Sequence, residues 1–458
     1  MNREIRLNAF AMNCIGHQSP GLWAHPRDRS TEYRHLSHWL DFARLLERGL
    51  FDGLFLADVL GVYDVYGGSP DAAIRHAVQV PVNDPSLLIP AMASVTKHLG
   101  FGITATLSYE APYLLARRFS TLDHLTGGRV GWNIVTGYLD SAARGLGLKT
   151  QLTHDRRYDM AEEYMAVVYR LWEESWQPDA VLADRGARVY ADPRKVHRVK
   201  HEGEFFSVDA IHLAEPSPQR TPVLYQAGAS GRGKEFAARH AECVFINGPS
   251  QGIVQRYVTD IRALAEKVGR RGSDLRIFTL ITAIVGRTDA EAREKLADYR
   301  RFVDPEASLA LLSGWTGIDL SRYRPDDPLT HLETQAMRSA VESFTTADPN
   351  KTWTIGELAQ HVAIGGRGPV LVGSPATVAD QMVQWFEATG VDGFNVAYAV
   401  FPESFSDLVD LVIPELQKRG LYKRGYGDGT LRRKLLGEGD ELNERHPGRG
   451  YRRPEAAE

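Results

Sequence analysis

A strand–helix–strand stretch between residues 103 and 137 constrains the fold of this chain more than any other feature. Its first strand, ITATL, is apolar, rich in β-branched residues and free of charge, which is typical of a strand covered on both faces. Pro112 begins a helix with apolar residues at helical spacing, and Gly127 and Gly128 end it. RVGWNIVTG is a second apolar strand. A helical crossover of this length joins parallel neighbours, so the stretch predicts a βαβ unit.

The same alternation of strand and helix runs along most of the chain, with helices predicted over 31–48 and 85–97 among others. About eight βα units can be counted, the number that closes a TIM barrel. The competing fold, a doubly wound sheet, has a glycine-rich fingerprint after its first strand. The first predicted strand, residues 5–10, is followed by no such fingerprint. We therefore predict an α/β protein with a TIM (β/α)8 barrel and long loops after its first two strands.

One region interrupts this rhythm. Residues 290–366 combine helical segments with loops such as GWTGIDLSRYRPDDP, which predicts an insertion between strands seven and eight. The barrel, with this insertion, is predicted to occupy residues 1–420. Residues 421–458 are predicted to form a C-terminal arm that is partly disordered. In this arm LRRKLL is expected to form a short helix, and about the last dozen residues are expected to be disordered.

Composition excludes several classes of protein. The 458 residues are 43% hydrophobic, enough for a large core. A net charge of −4 and a pI of about 6.4 provide no basic face for nucleic acid or an anionic membrane. Two cysteines, Cys14 and Cys243, are too few for a disulfide framework. The N-terminus is charged where a signal peptide is apolar, and no apolar stretch is long enough to span a bilayer. We expect a cytoplasmic protein.

Polar residues gather where the predicted strands end, and strand ends carry the chemistry of parallel barrels. Thr104 and Thr106 lie on one such strand, Asn133 and Thr136 on the next, and Asp58 ends the apolar run GLFLAD. Asp58 is interpreted either as a ligand anchor or general base, or as a cap of the next segment. No second carboxylate stands at a comparable strand end, which disfavours a glycosidase.

The segment GASGRGKE resembles a Walker A loop, but Glu235 replaces the hydroxyl residue that would bind magnesium. This replacement excludes nucleoside triphosphate binding. The segment follows a strand and precedes a helix. Its backbone amides and Ser230 therefore form a candidate phosphate site at a helix N-terminus, with Arg232 adding charge. The alternative is a plain turn between a strand and a helix.

Two further pairs of residues lie four positions apart. His154 and Tyr158 share one face at the start of a helix and can both donate to a phosphate or a ring carbonyl, with helix capping by Asp155 as the alternative. His197 and His201 lie in a predicted hairpin with solvated charges, so we predict no metal site. GxSxG, the motif of serine hydrolases, is absent. Protein groups alone offer little chemistry, which favours a bound cofactor.

The run SYEAPYLLARRFSTLDHLTGGRVGWNIVTG resembles the bacterial luciferase-like superfamily. Within it, the chain is similar to the nitrilotriacetate and dibenzothiophene-sulfone monooxygenase family through ERGLFDGLFLAD, THDRRYDMAEEY, ADPRKVHRVKHEGEFF and SPQRTPVLYQAGASGRG. The resemblance covers nearly the whole chain. It implies a TIM barrel with an insertion before the last strand, and a monooxygenase that uses reduced FMN and dioxygen. It also implies a separate NAD(P)H-dependent flavin reductase, and a homodimer or homotetramer.

By position, the resemblance also implies roles for individual residues. Those implied to bind the flavin are Asp58, Thr104 and Thr106 at the ring, Asn133 and Thr136 facing the ring and oxygen, His154, Tyr158 and Ser230 at the ribityl chain and phosphate, and Gly228 through close backbone approach. Gly137 stands where relatives often have serine, so one flavin contact is not expected here. The candidate catalytic residues are Asn133, Thr106 and His17, the last as a proton donor or acceptor. The candidates for the substrate pocket are Phe10, Tyr63, Phe245 and Trp315, with core packing as the alternative for each.

Three loop sequences, LNAFAMNCIGHQSPGLWAHP, ADVLGVYDVYGGS and SGWTGIDL, are most similar to those of family members that oxidise dimethyl sulfide. The resemblance therefore implies oxidation of a small organosulfur compound to a thiol and an aldehyde. The same chemistry on a larger sulfone, an aminopolycarboxylate or another xenobiotic is the alternative. The scarcity of basic residues in the predicted mouth loops disfavours a polyanion. A non-catalytic flavin-binding protein and a deazaflavin-dependent hydride transferase are the alternatives from other classes.

Overall fold

The computed structural model describes residues 4–228, 230–329, 334–345 and 351–453. The strands in these residues are β1 Arg6–Met12, β2 Gly53–Ala57, β3 Gly100–Thr106, β4 Val130–Val135, β5 Val181–Asp184, β6 Val189–Ala191, β7 Val199–Glu202, β8 Ser207–Ala210, β9 Val223–Ala227, β10 Cys243–Ile246, β11 Arg276–Val285, β12 Val370–Gly373 and β13 Gly393–Ala397. The α-helices are α1 Leu36–Arg48, α2 Asp71–Arg75, α3 Ile89–Ser94, α4 Pro112–Thr126, α5 Asp140–Gly145, α6 His154–Tyr169, α7 Gly231–His240, α8 Gln251–Lys267, α9 Asp289–Arg300, α10 Pro305–Thr316, α11 Arg338–Thr345, α12 Ile355–Val362, α13 Pro375–Thr389, α14 Glu403–Asp407, α15 Ile413–Lys418 and α16 Leu431–Leu436.

Eight strands close into a parallel barrel in the order β1, β2, β3, β4, β9, β10, β11 and β13, and β13 pairs with β1. Strand β12 lies outside the ring and pairs with the end of β11 from Thr282 to Val285. The predicted TIM barrel is therefore confirmed, and the predicted insertion lies between its seventh strand, β11, and its eighth, β13. Strands β5–β6 and β7–β8 form two antiparallel pairs outside the barrel.

The predicted βαβ unit is β3, α4 and β4. Helix α4 ends at Gly127, whose φ of 64° is the left-handed conformation that glycine adopts without strain. In the pairing of β3 with β4, Thr104 lies opposite Asn133. This register brings together two of the polar residues that the sequence places at strand ends.

Two helices are shorter than the sequence predicts. The helix predicted over 31–48 begins at Leu36, because a separate 3-10 turn occupies Ser30–Glu32. The helix predicted over 85–97 divides into a 3-10 turn, Pro85–Leu88, and the short helix α3. Pro90 has no N–H with which to continue the first segment, which explains the division.

The long loops and the insertion form a second hydrophobic core. It joins residues from the loops after β1 and β2 with the buried faces of α10 and α12, and it is separate from the core between the barrel and its outer helices. Tyr63 and Trp315 belong to this second core. Because its parts come from three distant stretches of chain, packing holds the loops in one arrangement over the barrel mouth.

The C-terminal arm fills the opposite end of the barrel. Leu431 and Leu435 of α16 are buried with residues of the barrel interior. Arg432 is also buried, and its guanidinium donates to Glu242 Oε1 and Oε2 at 2.7 and 2.9 Å. It also donates to the backbone carbonyls of Thr221, Pro222, Gln219 and Asp440.

The predicted disorder of the chain's end is wrong for residues 447–453. Pro447–Tyr451 forms a 3-10 helix, and Arg452 donates to the buried Glu173 at 2.6 Å. Residues 454–458, to which the same prediction applies, lie outside the described residues. In the described part of the chain, no helix combines the length and the apolar character needed to cross a membrane.

Candidate active site

The barrel opens into a cleft at the carboxyl ends of its strands, between the barrel and the second core. The cleft holds about 1580 Å³ when counted out to its open mouth. The residues of the implied flavin set all lie on its wall: Asp58, Thr104, Thr106, Asn133, Thr136, His154, Tyr158, Gly228 and Ser230.

Asn133 and Thr104 form an ordered polar pair on one wall of the cleft. Asn133 donates from Nδ2 to the Thr104 hydroxyl at 2.9 Å. Asn133 Oδ1 is buried and has no partner among the described residues, and the same holds for Gln226 Oε1. Buried acceptors without partners cost free energy, so these two oxygens indicate where a ligand that donates hydrogen bonds fits.

Asp58 is a carboxyl group with a raised pKa on the same wall. Burial, reinforced by the charge of Asp84, raises the pKa of Asp58 to about 7 from its ordinary value of 3.8. The Val59 N–H, 2.9 Å from Asp58 Oδ1, opposes the shift by stabilising the carboxylate. Near neutral pH this group can therefore either accept or donate a hydrogen bond.

We expect the raised pKa to appear in the pH dependence of folding. The native state keeps the Asp58 proton up to about pH 7, whereas the unfolded chain releases it near pH 3.8. The stability that Asp58 contributes is therefore present below pH 4 and is lost as the pH rises to 7. Urea unfolding of the native chain and of Asp58→Asn at pH 5 and pH 8 checks this. The native chain should lose more stability than the variant between the two values, and equal losses would contradict the assignment.

The other end of the cleft has the chemistry of a phosphate site. Ser230 caps helix α7 by accepting from the Gly233 N–H at 3.2 Å, and the Tyr158 hydroxyl hydrogen bonds with Ser230. The imidazole of His154 lies against Tyr158, with ring centroids 5.2 Å apart. A Cβ on Gly228 would come within 2.7 Å of Gln226 Nε2, so a larger residue here would displace the Gln226 side chain.

Two expectations about this end are corrected by its contacts. Arg232 does not line the cleft, because it donates to Asp159 at 2.9 Å on the outside of α6. The N-cap of α6 is Thr153 and not Asp155, whose carboxylate instead contacts His154 Nδ1 at 2.7 Å. Two arginines that the sequence analysis did not select, Arg157 and Arg338, line the cleft.

Phe10, Phe245 and Trp315 line the cleft, whereas Tyr63 does not. The Tyr63 hydroxyl lies behind the wall, where it hydrogen bonds with Gln79 Oε1 at 2.8 Å and with the Tyr138 hydroxyl at 2.7 Å. The Tyr63 ring packs against Gly314 so closely that a Cβ at position 314 would collide with it. Tyr63 therefore positions two wall residues from behind the wall and does not itself line the cleft.

His17 is a neutral imidazole in the wall. Burial lowers its pKa to about 3, so the ring carries no charge near neutral pH. Its Nε2 lies 3.2 Å from Gln18 Nε2, and Nδ1 has no hydrogen-bond partner among the described residues. The ring of Phe10 packs edge-on against it at 4.4 Å. His17 can therefore exchange one hydrogen bond with a ligand, but it is not a cationic acid.

His197 and His201 do not belong to a cluster of side chains that could bind a metal ion, among the residues that the structure describes. His201 Nε2 contacts Glu163 Oε1 at 3.0 Å, and His197 Nε2 has no partner in the described part of the chain. No group of three or more His, Cys, Asp or Glu side chains is placed to hold a metal ion within the residues the structure describes. Cys14 and Cys243 are buried free thiols.

The sequence analysis missed Tyr138, Gln79, Gln18 and Arg367, which also line the cleft. All four come from long loops or from the end of the insertion, so no strand-end pattern pointed to them. The one available signal was the sequence GGRG around Arg367, because a run of glycines marks a close backbone approach.

The sequence of this chain is similar to those of known monooxygenases. Residues 12–393 match the model of the luciferase-like monooxygenase family. The chain is 51% identical over 453 residues to the dimethyl-sulfide monooxygenase of Hyphomicrobium sulfonivorans, covering 99% of this chain and 94% of that protein. It is 48% identical over 455 residues to the long-chain alkane monooxygenase of Geobacillus thermodenitrificans, covering 99% of both.

A solved structure extends the comparison to three dimensions. The crystal structure of a riboflavin lyase with modified FMN and riboflavin superposes with a TM-score of 0.93 at 36% identity, covering 98% of this chain and 100% of that one. The fold, the wall of the cleft and these matches lead to one conclusion: this chain is a member of the luciferase-like monooxygenase family.

Proposed function

We propose that this chain is the oxygenase component of a two-component system that uses reduced FMN and dioxygen to oxidise a small organosulfur compound. The observation that supports this most directly is the wall of the cleft. Hydroxyl and amide groups with unpaired buried acceptors, Asn133 Oδ1 and Gln226 Oε1, occupy one part of it. A helix N-terminus with Ser230 and Tyr158 occupies another. A flavin mononucleotide presents a ring N–H and a phosphate in the same molecule, so the donor set fits it.

The residues of the cleft wall divide into groups that bind the phosphate, hold the flavin ring and exclude water. Reduced FMN, when bound, supplies the two electrons that activate dioxygen. Ser230, Tyr158 and the amides of α7 bind the phosphate. Asn133 and Thr104 hold the ring edge, and Asp58 anchors the ring by hydrogen bonding. The apolar residues of the second core exclude water from the site, which protects an activated oxygen from wasteful breakdown.

We propose dimethyl sulfide as the first substrate to test. One carbon–sulfur bond is cleaved, and dimethyl sulfide, dioxygen and reduced FMN give methanethiol, formaldehyde, water and oxidised FMN. The 51% identity to a dimethyl-sulfide monooxygenase supports this choice. The phenyl and indole side chains of Phe10, Phe245 and Trp315 give the cleft apolar surface for such a molecule.

A separate NAD(P)H-dependent reductase would supply the reduced flavin, and the native protein would be a cytoplasmic homodimer or homotetramer. These parts of the proposal rest on the family resemblance. Size-exclusion chromatography with light scattering measures the oligomeric state directly.

Turnover with photochemically reduced FMN tests the function. The purified chain, dioxygen and dimethyl sulfide should release one thiol and one aldehyde per reduced flavin oxidised. Dibenzothiophene sulfone, nitrilotriacetate and a long-chain alkane serve as alternative substrates, and reaction with one of these alone would reassign the substrate. Tight binding of oxidised FMN without turnover would indicate a flavin-binding protein. Oxidation of an alcohol without dioxygen would indicate a deazaflavin enzyme.

A pair of serine variants tests the phosphate site. Ser230→Ala and Ser374→Ala each remove a helix N-cap, on α7 and α13 respectively, and each should lower stability by about 1 kcal/mol. Only Ser230 lines the cleft. Fluorescence titration should therefore show FMN affinity reduced by about tenfold or more by Ser230→Ala and unchanged by Ser374→Ala, since one hydrogen bond to a charged group contributes about 1.5 kcal/mol or more. Equal FMN affinities of the two variants would show that Ser230 does not bind the phosphate.

A further inference from the structure

Arg367 stands in a glycine-rich loop, GGRG, that leads into β12. The backbone of this loop packs closely against neighbouring residues. A Cβ on Gly365 would collide with the Thr282 hydroxyl, and one on Gly366 would collide with Gln18 Oε1. A Cβ on Gly368 would come within 2.7 Å of the backbone oxygen of Leu280. Side chains are therefore excluded around Arg367, and the loop holds this arginine at one fixed place in the cleft wall.

The guanidinium of Arg367 has an unusual environment. It lies over the ring of Trp315, 5.4 Å from the centroid, and the nearby polar groups are the hydroxyls of Tyr257, Tyr138 and Tyr63. Burial lowers the pKa of Arg367, and only these tyrosines oppose the shift. Among the described residues, no carboxylate forms an ion pair with it and no carbonyl accepts a hydrogen bond from it.

Arg367 is half-buried, and the fully buried Arg432 and Arg129 differ from it in this respect. Arg432 has Glu242 and four carbonyl oxygens, and the Arg129 guanidinium donates to four carbonyl groups and one hydroxyl. The charge of Arg367 is partly withdrawn from water, and no described protein group compensates for the lost hydration. Arg367 faces the cleft, so a ligand in the cleft can supply the missing partner.

We infer that Arg367 binds an anionic group, a carboxylate or a sulfonate, on the organosulfur substrate. This inference rests on the proposed function and deepens it, because among small sulfides those that carry an acid should react faster than neutral ones such as dimethyl sulfide. The Arg367 loop abuts Gln18 and Trp315, and Ser230 lies beside Tyr158. The sequence predicts few basic residues in the mouth loops, and the structure places Arg157, Arg338 and Arg367 on the wall of the cleft.

The test compares two substrates of the same shape, (methylthio)acetate and its neutral amide, 2-(methylthio)acetamide. Each releases one thiol per turnover with reduced FMN and dioxygen, whichever carbon is oxidised. We expect kcat/KM to be at least about tenfold higher for the acid than for the amide. Arg367→Gln should lower kcat/KM for the acid by about 30-fold or more, since truncating one partner of a buried charge pair has effects of this size. The amide should be affected little, and the preference for the acid should disappear.

Three controls separate the possible roles of Arg367. Arg185→Gln, on an exposed turn far from the cleft wall, should leave the preference unchanged. Arg367→Lys keeps the charge and should retain part of the preference for the acid. The FMN dissociation constant should be the same for the native chain and for Arg367→Gln. In addition, (methylthio)acetate should raise the Tm of the native chain with FMN but not that of Arg367→Gln.

Each contrary outcome has a defined meaning. Equal kcat/KM for acid and amide in the native chain would overturn the inference without any variant. So would a preference that survives in Arg367→Gln, or a loss of FMN binding in that variant, which would place Arg367 at the cofactor. If neither sulfide is oxidised although dimethyl sulfide is, the inference about Arg367 fails. If dimethyl sulfide is not oxidised either, the proposed function fails, and the acid-dependent rise in Tm still reports on Arg367 alone.

Discussion

Replacing Arg432 with alanine is expected to lower the free energy of unfolding by about 3–5 kcal/mol. The reason is that Glu242, with a side chain only 1% exposed, would keep its charge inside the protein without its partner. Four backbone carbonyls of the barrel and the arm would lose their donor at the same time. Urea denaturation followed by circular dichroism measures the difference.

The neighbouring arginine provides the matched control. Arg433 pairs with Asp440 at 2.7 Å, but its side chain is 51% exposed. An exposed ion pair contributes about 0–1 kcal/mol, so Arg433→Ala should change stability by no more than this. The double variant Arg432→Met/Glu242→Met removes both buried charges and should recover much of the loss. Equal effects of Arg432→Ala and Arg433→Ala would show that the arm does not depend on the buried pair.

Replacing Asn133 with leucine is expected to lower kcat/KM for sulfide oxidation by about 100-fold. Leucine has a similar volume but removes both the unpaired Oδ1 and the Nδ2 donor that Thr104 holds in place. The hydrogen bond to Thr104 already fixes the Asn133 amide in the absence of a ligand. Leucine therefore removes a hydrogen-bonding group that is in place for the flavin ring without rearrangement. The rate of thiol release with reduced FMN measures the effect, and the absorbance spectrum of bound FMN provides an independent measurement at the ring.

The control for this prediction is Asn83→Leu, an exposed asparagine on the loop after β2 that does not line the cleft. It should leave both kcat/KM and the flavin spectrum unchanged. A normal flavin spectrum in Asn133→Leu, together with normal turnover, would place the ring elsewhere in the cleft. A lowered Tm with a normal spectrum would instead assign Asn133 to packing.

The strand-end residues show how much of the site is predictable from sequence. Asp58 follows an apolar run, and Thr104 and Asn133 lie in the second halves of β3 and β4, positions that a parallel barrel brings towards one rim. Local pattern therefore suffices to group them. The raised pKa of Asp58 was not predictable, because it depends on burial by residues far away in the chain.

Tyr63 and Arg367 show the opposite situation. Both belong to long connections, one after β2 and one after α12, and their environment is created by the second core. An aromatic residue in a loop has no periodic pattern that distinguishes a pocket wall from the layer behind it, so Tyr63 was misplaced. Arg367 appeared as an ordinary charge, because the sequence does not show that no acid lies beside it.

By itself, the sequence determined the barrel, the insertion and the residues at the strand ends, because strand and helix periodicities are local and the closure of eight parallel strands leaves little freedom in where the strand ends lie. Only the tertiary structure decided how the loops close over the mouth, how the C-terminal arm fills the other end, and which charges remain without partners. These properties depend on contacts between residues far apart in the sequence, such as Arg432 with Glu242 or Gly366 with Gln18. Packing and burial depend on which residues are close in the folded structure, and the local sequence pattern does not contain that information.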